Sequence, residues 1–269
     1  MDILVLLAGV ADSRYPLHEV SLDGNGDLAE TGQTRRVLGP FDEGALELAL
    51  KLRDKSETTR VHVLVLGGPN EDALARTVAA FKPDSLRVLE LQPCRPWDSA
   101  LTASQLGAFI RSDNSVPDLV FVGREFGDLD EGSIPVLLAG ELEMPMFPLT
   151  QFAQWRGGQE QEQEQEQVRL MRERGTSREW LALDNTSYLA TVTNDKRNKL
   201  RHPLMKNVMM AKKQPVDKVC QATDKAAGVT ATSMTDPETT ERNVQCRMLE
   251  GSVQDQAAAI ADYIRQAAG

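Results

Sequence analysis

Three cysteines and three histidines leave this 269-residue chain poor in the side chains that build disulfide frameworks and zinc-type metal centres, and only 5% of its residues are aromatic. Cys94, Cys220 and Cys246 are odd in number and widely spaced, and none forms a C-x-x-C pair. A reduced, cytoplasmic compartment is therefore expected. His18, His62 and His202 have no second histidine or cysteine at ligand spacing, so no metal site is expected. No apolar run approaches the roughly 18 residues of a membrane span. The opening M-D-I-L-V-L-L-A-G-V lacks a basic stretch and predicts a first strand, not a signal peptide. A formal charge of -10 argues against a general nucleic-acid binder. There is no G-x-G-x-x-G, no phosphate-binding G-x-x-x-x-G-K-[ST] and no nucleophile elbow. No catalytic residue is assigned.

What is present reads as α/β. Ile3 to Ala8, Val61 to Leu66, Leu86 to Leu91 and Leu119 to Gly123 are apolar without alternation, the pattern of strands buried on both faces. Helices are expected between them. One opens at Gly39-Pro40-Phe41-Asp42-Glu43 with Asp42 as N-cap, one follows a cap at Asn70, one starts at Asp98 and one runs from Ile134 to Leu142. Four strand-helix steps predict a doubly wound, Rossmann-like parallel sheet. The stretch from Asp118 to Pro145 places an acidic, glycine-containing loop between a strand and a helix, where ligands of parallel sheets bind. Asp128, Asp130 and Glu131 in that loop suit either helix capping or contact with ribose hydroxyls. Asp23 to Asp27, D-G-N-G-D, is a turn between short strands. As a calcium loop it fails, having Leu28 where glycine is needed and Thr34 where the bidentate glutamate belongs.

After Pro145 the pattern changes. Gly157-Gly158 leads into an alternating Gln/Glu run from Gln159 to Gln167, read as a solvated tip. Val168 to Arg174 and Glu179 to Leu183 form a hairpin around Gly175, and Tyr188 to Thr193 is a buried strand. A basic segment follows, with Pro203 at the first position of a short helix. Residues 214 to 250 are weakly patterned, and Ser252 starts a final helix with Ala257, Ile260, Ala261 and Ile264 on one face.

This combination resembles the beta subunit of electron transfer flavoproteins, the family that includes the FixA proteins. Gly39-Pro40-Phe41-Asp42-Glu43 is similar to the family's N-P-F-D-E. Gly123-Arg124 with Asp128 and Asp130 keeps its G-[KR]-x-x-x-D-x-D. Asn198-x-x-Arg201-x-Pro203 is like its N-x-P-R-[YF]-P. Asn207-Val208-Met209-Met210-Ala211-Lys212-Lys213 is close to its N-I-M-K-A-K-K. The four occur in family order over nearly the whole chain.

The resemblance implies a non-enzymatic electron carrier, a heterodimer whose alpha subunit holds most of an FAD while the beta subunit shields one side of the ring. Electrons would come from flavin-dependent dehydrogenases and pass to a membrane quinone reductase, with no insertion of this chain into the membrane. A structural AMP, or a second FAD, sits in the beta subunit of such proteins. Carried over by position, the nucleotide would touch Leu6, Gly67 and the turn Gly39, Pro40, Phe41 and Asp42. It would also touch the loop Gly123, Arg124, Glu125, Phe126, Gly127, Asp128, Leu129, Asp130, Glu131, Gly132, Ser133 and Ile134. Phe41 would face the flavin. Residues 184–201 correspond to the loop that docks dehydrogenases, through Lys196, Arg197, Asn198, Lys199 and Arg201. Residues 1–213 would form the nucleotide-binding domain, and residues 214–269 an extension wrapping a partner subunit.

Two departures qualify the comparison. Ile134-Pro135-Val136 replaces the family's T-G-Q, removing groups that would hydrogen-bond phosphate or adenine. Each lost charge-assisted bond costs about 1–3 kcal/mol, which argues against AMP and a second FAD. Arg197 stands where the docking loop usually inserts a leucine, so docking through charge is expected. Two other classes remain. An adenine-nucleotide enzyme on this fold would need a loop like S-G-G-x-D-S, which is missing, whereas a nucleotide-free structural subunit would not.

Overall fold

A computed structural model of the chain describes residues 1–14, 20–30, 35–67, 72–113, 116–156, 167–226, 228–233 and 248–268. The expected cap at Asn70, the turn at Gly68-Pro69, and the Gln/Glu run before Gln167 lie outside these residues, as do His18 and Cys246. The chain divides into two units, Met1–Met234 and Thr235–Gly269.

The first unit holds a seven-stranded sheet, paired in parallel throughout. Its strands are β1 (Asp2–Leu7), β6 (Arg60–Gly67), β7 (Ser85–Gln92), β8 (Leu119–Gly123), β9 (Met146–Thr150), β13 (Tyr188–Val192) and β14 (Asp217–Ala222). Their order across the sheet is β14-β7-β6-β1-β8-β13-β9. The remaining strands are small additions. β2 (Val10–Ala11) pairs with β5 (Arg36–Val37), and β3 (Val20–Leu22) pairs with β4 (Leu28–Glu30) around the D-G-N-G-D turn. The Asp23 carboxylate closes that turn by accepting the N–H groups of Asn25 and Asp27 at 2.8 and 2.9 Å. β10 (Phe152–Arg156), β11 (Gln167–Arg174) and β12 (Ser177–Ala182) form an antiparallel sheet, the expected hairpin with one strand more.

The doubly wound architecture follows from β1. Ile3, Val5 and Leu7 face one core, and Leu4 and Leu6 with Ala8 face the other. Helices α1 (Pro40–Arg53) and α2 (Asp72–Ala79) cover the first face together with Ala153, Val168 and Leu170 of the small sheet. α3 (Ser99–Ser112) and α4 (Ser133–Glu141) cover the second. Burying each such Leu, Ile or Val side chain contributes about 1.5–3 kcal/mol, so both faces need a helical layer. Asp98 caps α3 as expected, accepting the Leu101 N–H at 3.0 Å.

Three expectations give way. α1 begins at Pro40 with Gly39 as N-cap, so Asp42 sits in the first turn and reaches back to the Gly39 N–H at 3.0 Å. Pro203 precedes α5 (Met205–Ala211), because the Leu204 carbonyl, in extended backbone, is the one that accepts from Asn207 and Val208. Beyond residue 213, where the extension was expected to leave the domain, β14 completes the sheet edge beside β7. Its alternating exposed and half-exposed residues hide it from a hydropathy reading.

The second unit contains α6 (Val253–Ala268), started by a reciprocal cap. Ser252 donates to the Asp255 carboxylate and accepts the Asp255 N–H. Ile260, Tyr263 and Ile264 are exposed along it. No helix among the described residues is long and apolar enough to cross a membrane.

Candidate functional site

From β1 the chain moves through β6 to β7 on one side, then returns to place β8 on the other. The strand order therefore reverses between β1 and β8, and a crevice opens outside their carboxyl ends, where doubly wound sheets bind ligands. Leu6 and Val122 are register partners there. The loop after β1, the start of α1 and the loop after β8 meet at this point, which brings most of the sequence-assigned residues together.

Three carboxylates fix these segments, two of them by joining one segment to another. Asp42, only 2% exposed, accepts N–H groups from Gly9 and Gly39 at 3.0 Å and from Ala8 at 3.3 Å. Burial outweighs those bonds and pushes its pKa up to about 6. Asp128 accepts the Ala11 N–H at 3.0 Å and lies 3.8 Å from the Arg36 guanidinium. Asp130, 4% exposed, accepts from Phe126 at 3.1 Å, Ser133 at 2.8 Å and Ile134 at 3.0 Å. Asp130 is thus the cap of α4, although Gly132 is the residue at the N-cap position. Glu131 is exposed beside it. Sequence reasoning saw the acids but missed the amides of Ala8, Gly9 and Ala11 that two of them hold. The Ala-Gly step at the end of β1 was the available signal.

Two glycines set distances in this frame. A Cβ on Gly123 would lie 2.8 Å from both the Phe41 Cβ and the Glu125 carbonyl, so its absence lets α1 approach the end of β8. A Cβ on Gly67 would fall 2.5 Å from Val88 Cγ1, so that glycine serves the packing of β6 on β7. Phe41 is half-buried, with the Arg124 guanidinium 5.9 Å from its ring centre. Arg124 also pairs with Glu125 at 3.2 Å, and its amide donates to the Val192 carbonyl.

The first turn of α4 tests whether a nucleotide phosphate fits. Helix starts bind anions through free N–H groups. Here Ser133 and Ile134 already donate to Asp130, and Pro135 has no N–H to give. Of the exposed side chains nearby, Leu129 and Val136 are apolar, Glu131 is anionic, and Ser133 offers a single hydroxyl. These residues do not fit an AMP phosphate at the helix start, since the chain's own carboxylate takes up the donors. Phe41 and Arg124 do fit one wall against a flat aromatic ring system.

The basic segment after β13 divides by role. Asn198 is buried and its side-chain amide donates to the Gln151 carbonyl at 2.7 Å. Arg201 forks onto Glu47 at 2.9 and 3.0 Å and also engages Asp54. Arg197 pairs with Asp195 at 2.9 Å and lies 3.6 Å from Glu173, while its carbonyl accepts from Lys51. Lys196 and Lys199 are exposed. Asn198 and Arg201 therefore anchor the segment, and the two lysines face outward. Glu47, the buried anchor for Arg201, was not visible in sequence because it lies 154 residues away.

Comparison with known proteins gives a consistent result. The family model described as electron transfer flavoprotein domain matches residues 28–224. The mitochondrial electron transfer flavoprotein subunit beta of Oryza sativa subsp. japonica is 29% identical over 222 residues, covering 81% of each chain. Electron transfer flavoprotein subunit beta of Syntrophomonas wolfei is 25% identical over 193 residues, covering 71% of this chain and 70% of the relative. Subunit CarD of the caffeyl-CoA reductase-Etf complex of Acetobacterium woodii is 31% identical over 147 residues, covering 54% of each chain.

Proposed function

The chain belongs to the electron transfer flavoprotein family, and on that premise we propose that it is the beta-type subunit of a cytoplasmic heterodimer that relays electrons from flavin-dependent dehydrogenases. The observation that carries this reading is the meeting of Phe41 and Arg124 at the switch point of the sheet. In this reading an FAD held mainly by an alpha subunit supplies the one-electron chemistry. The ring of Phe41 excludes water from one side of that group, and Arg124 brings positive charge to the same wall. The chain makes and breaks no bond and contributes shielding, orientation and electrostatics. No role is assigned to AMP or a second FAD.

Lys196 and Lys199 are the charges that meet a dehydrogenase, held in register by Asn198 and Arg201. Residues beyond 234 take the role of the partner-wrapping extension, with the apolar face of α6 as the contact. A membrane quinone reductase is the acceptor. Co-expression with an alpha-type subunit, followed by an absorption spectrum, tests the reading. A yellow heterodimer supports it, and a colourless chain that stays monomeric beside the alpha subunit sinks it. Reversing Lys196 and Lys199 to Glu should slow reduction by the dehydrogenase roughly tenfold at low salt, with the difference closing as salt rises. Equal rates at low salt would remove the lysines from the docking surface.

A further inference from the structure

We propose that the open face of the β10-β11-β12 sheet is a docking site for an acidic peptide segment of a partner protein, built on Arg156, Arg169 and Trp180. Nothing in the electron-carrier reading uses this face, and it lies on a different sheet from the crevice between β1 and β8. These three residues line an open cleft of about 440 Å³ together with Gln154 and Trp155, and among the described residues no carboxylate stands in its walls.

In a chain of net charge -10, the arginines are almost all spoken for. Among the described residues, each arginine other than Arg156 and Arg169 has a partner. The two exceptions come together in the same cleft. Gln154 pairs with Arg169 and Arg156 with Gln167, so the two guanidiniums project from diagonal positions on one face of neighbouring antiparallel strands. Like charges so placed repel. The Arg169 Nε is buried and has no hydrogen-bond partner, which leaves a desolvated donor uncompensated. A carboxylate entering the cleft relieves both costs, because a guanidinium binds carboxylate through two parallel N–H groups.

The aromatic walls narrow the class of occupant. Trp180 is 46% exposed and is held edge-on against Phe152, with ring centres 6.1 Å apart. Trp155, next to Arg156 in β10, turns to the opposite, core-facing side, where its indole N–H donates to the Leu52 carbonyl at 3.0 Å. The Trp180 indole thus offers apolar area beside the cations at little entropic cost. A small inorganic anion would leave that area unused, whereas a peptide with acidic and aromatic side chains uses both. Trp and Arg are also the residue types that dominate protein-protein contact energies.

Isothermal titration of the full chain with a peptide of four glutamates flanking one phenylalanine, at low salt, tests the proposal. Saturable binding is expected. Arg169→Gln and Trp180→Ala should each weaken it roughly tenfold, and Lys206→Gln, on exposed α5, should leave it unchanged. Arg156→Gln is the variant least able to disturb folding, since its side chain is exposed, and it should weaken binding in the same direction. The proposal is overturned by absence of binding, or by equal binding to the Arg156→Gln/Arg169→Gln double variant. Inorganic phosphate binding as tightly as the peptide would also overturn it, by making the cleft a small-anion site. So would binding that emerges only after Glu160, Glu162, Glu164 and Glu166 are changed to Gln, which would assign the cleft to the chain's own acidic run.

Discussion

Asp42 should make this protein lose stability as the pH rises through the weakly acidic range, against the usual behaviour of carboxylates. Burial lifts its pKa from 3.8 to about 6. The folded state therefore binds more protons than the unfolded state between those values, and stability falls with pH across that window. The contribution is fully present below the unfolded pKa, is lost as pH rises through about 6, and changes little beyond. At about 1.4 kcal/mol per pH unit, a shift of about two units amounts to roughly 3 kcal/mol. The residue is only 2% exposed, so solvent screening takes little away. Asp42→Asn supplies the comparison. Its amide oxygen can still accept the two 3.0 Å bonds from Gly9 and Gly39, and only the 3.3 Å bond from Ala8 goes unmet. Urea unfolding of both proteins at steps from about pH 4 to 7 cancels the titration of every other group in the difference. The variant should gain on the wild type by roughly 3 kcal/mol over that range. If the two profiles run parallel, the charge of Asp42 is compensated in a way that the three amide bonds and Arg36 do not describe.

The sheet was legible wherever strands are buried on both faces. β1, β6, β7 and β8 announce themselves as apolar runs because helices cover each side. β9 and β14 do not. The first contains Pro148 and a left-handed Leu149 at φ 61°, and the second is an edge strand with Asp217, Lys218 and Gln221 along it. β14 finds its place through parallel pairing with β7, a backbone contact that hydropathy does not encode. The candidate site was legible as a location and less so as a mechanism. The acidic loop after β8 sits at the switch point, as a strand-loop-helix reading implies. Yet whether Asp130 caps a helix or meets a ribose depends on distances to Phe126, Ser133 and Ile134, and composition is silent on those. Asp42 illustrates the same limit. Its position near a helix start was plain, but the amides of Ala8 and Gly9 reach it only because the end of β1 folds against the start of α1. The basic segment read as five equivalent candidates. Long-range partners, Glu47 for Arg201 and Gln151 for Asn198, are what separate anchors from exposed charges.

Gly123→Ala should destabilise the chain by about 1–3 kcal/mol, since the new methyl meets the Phe41 Cβ and the Glu125 carbonyl at 2.8 Å and one of them must move. In a flavin-bearing heterodimer the absorption maximum should shift as well, because Phe41 is displaced; an unchanged spectrum and unchanged unfolding midpoint would show that the contact is slack. Glu47→Gln tests the anchor of the docking segment. Glu47 is 5% exposed at its side chain and takes the Nε and a terminal nitrogen of Arg201, and also the Arg201 backbone N–H at 3.1 Å. Removing one member of a buried pair typically costs 3–5 kcal/mol. Arg201 is 36% exposed at its side chain and keeps Asp54, so the loss here should be nearer about 2 kcal/mol. The glutamine retains a single acceptor for three donors; an oxygen in the place of Oε2 keeps Nε and the backbone N–H, so the bond to the terminal nitrogen is lost and the grip on the chain around Lys199 loosens. Amide exchange at residues 196–201 should then accelerate more than exchange in β13, and salt-dependent docking should weaken although both lysines remain. A variant that loses stability uniformly, with no excess exchange in that segment, would mean that Glu47 supports the fold of α1 and does not position the docking charges.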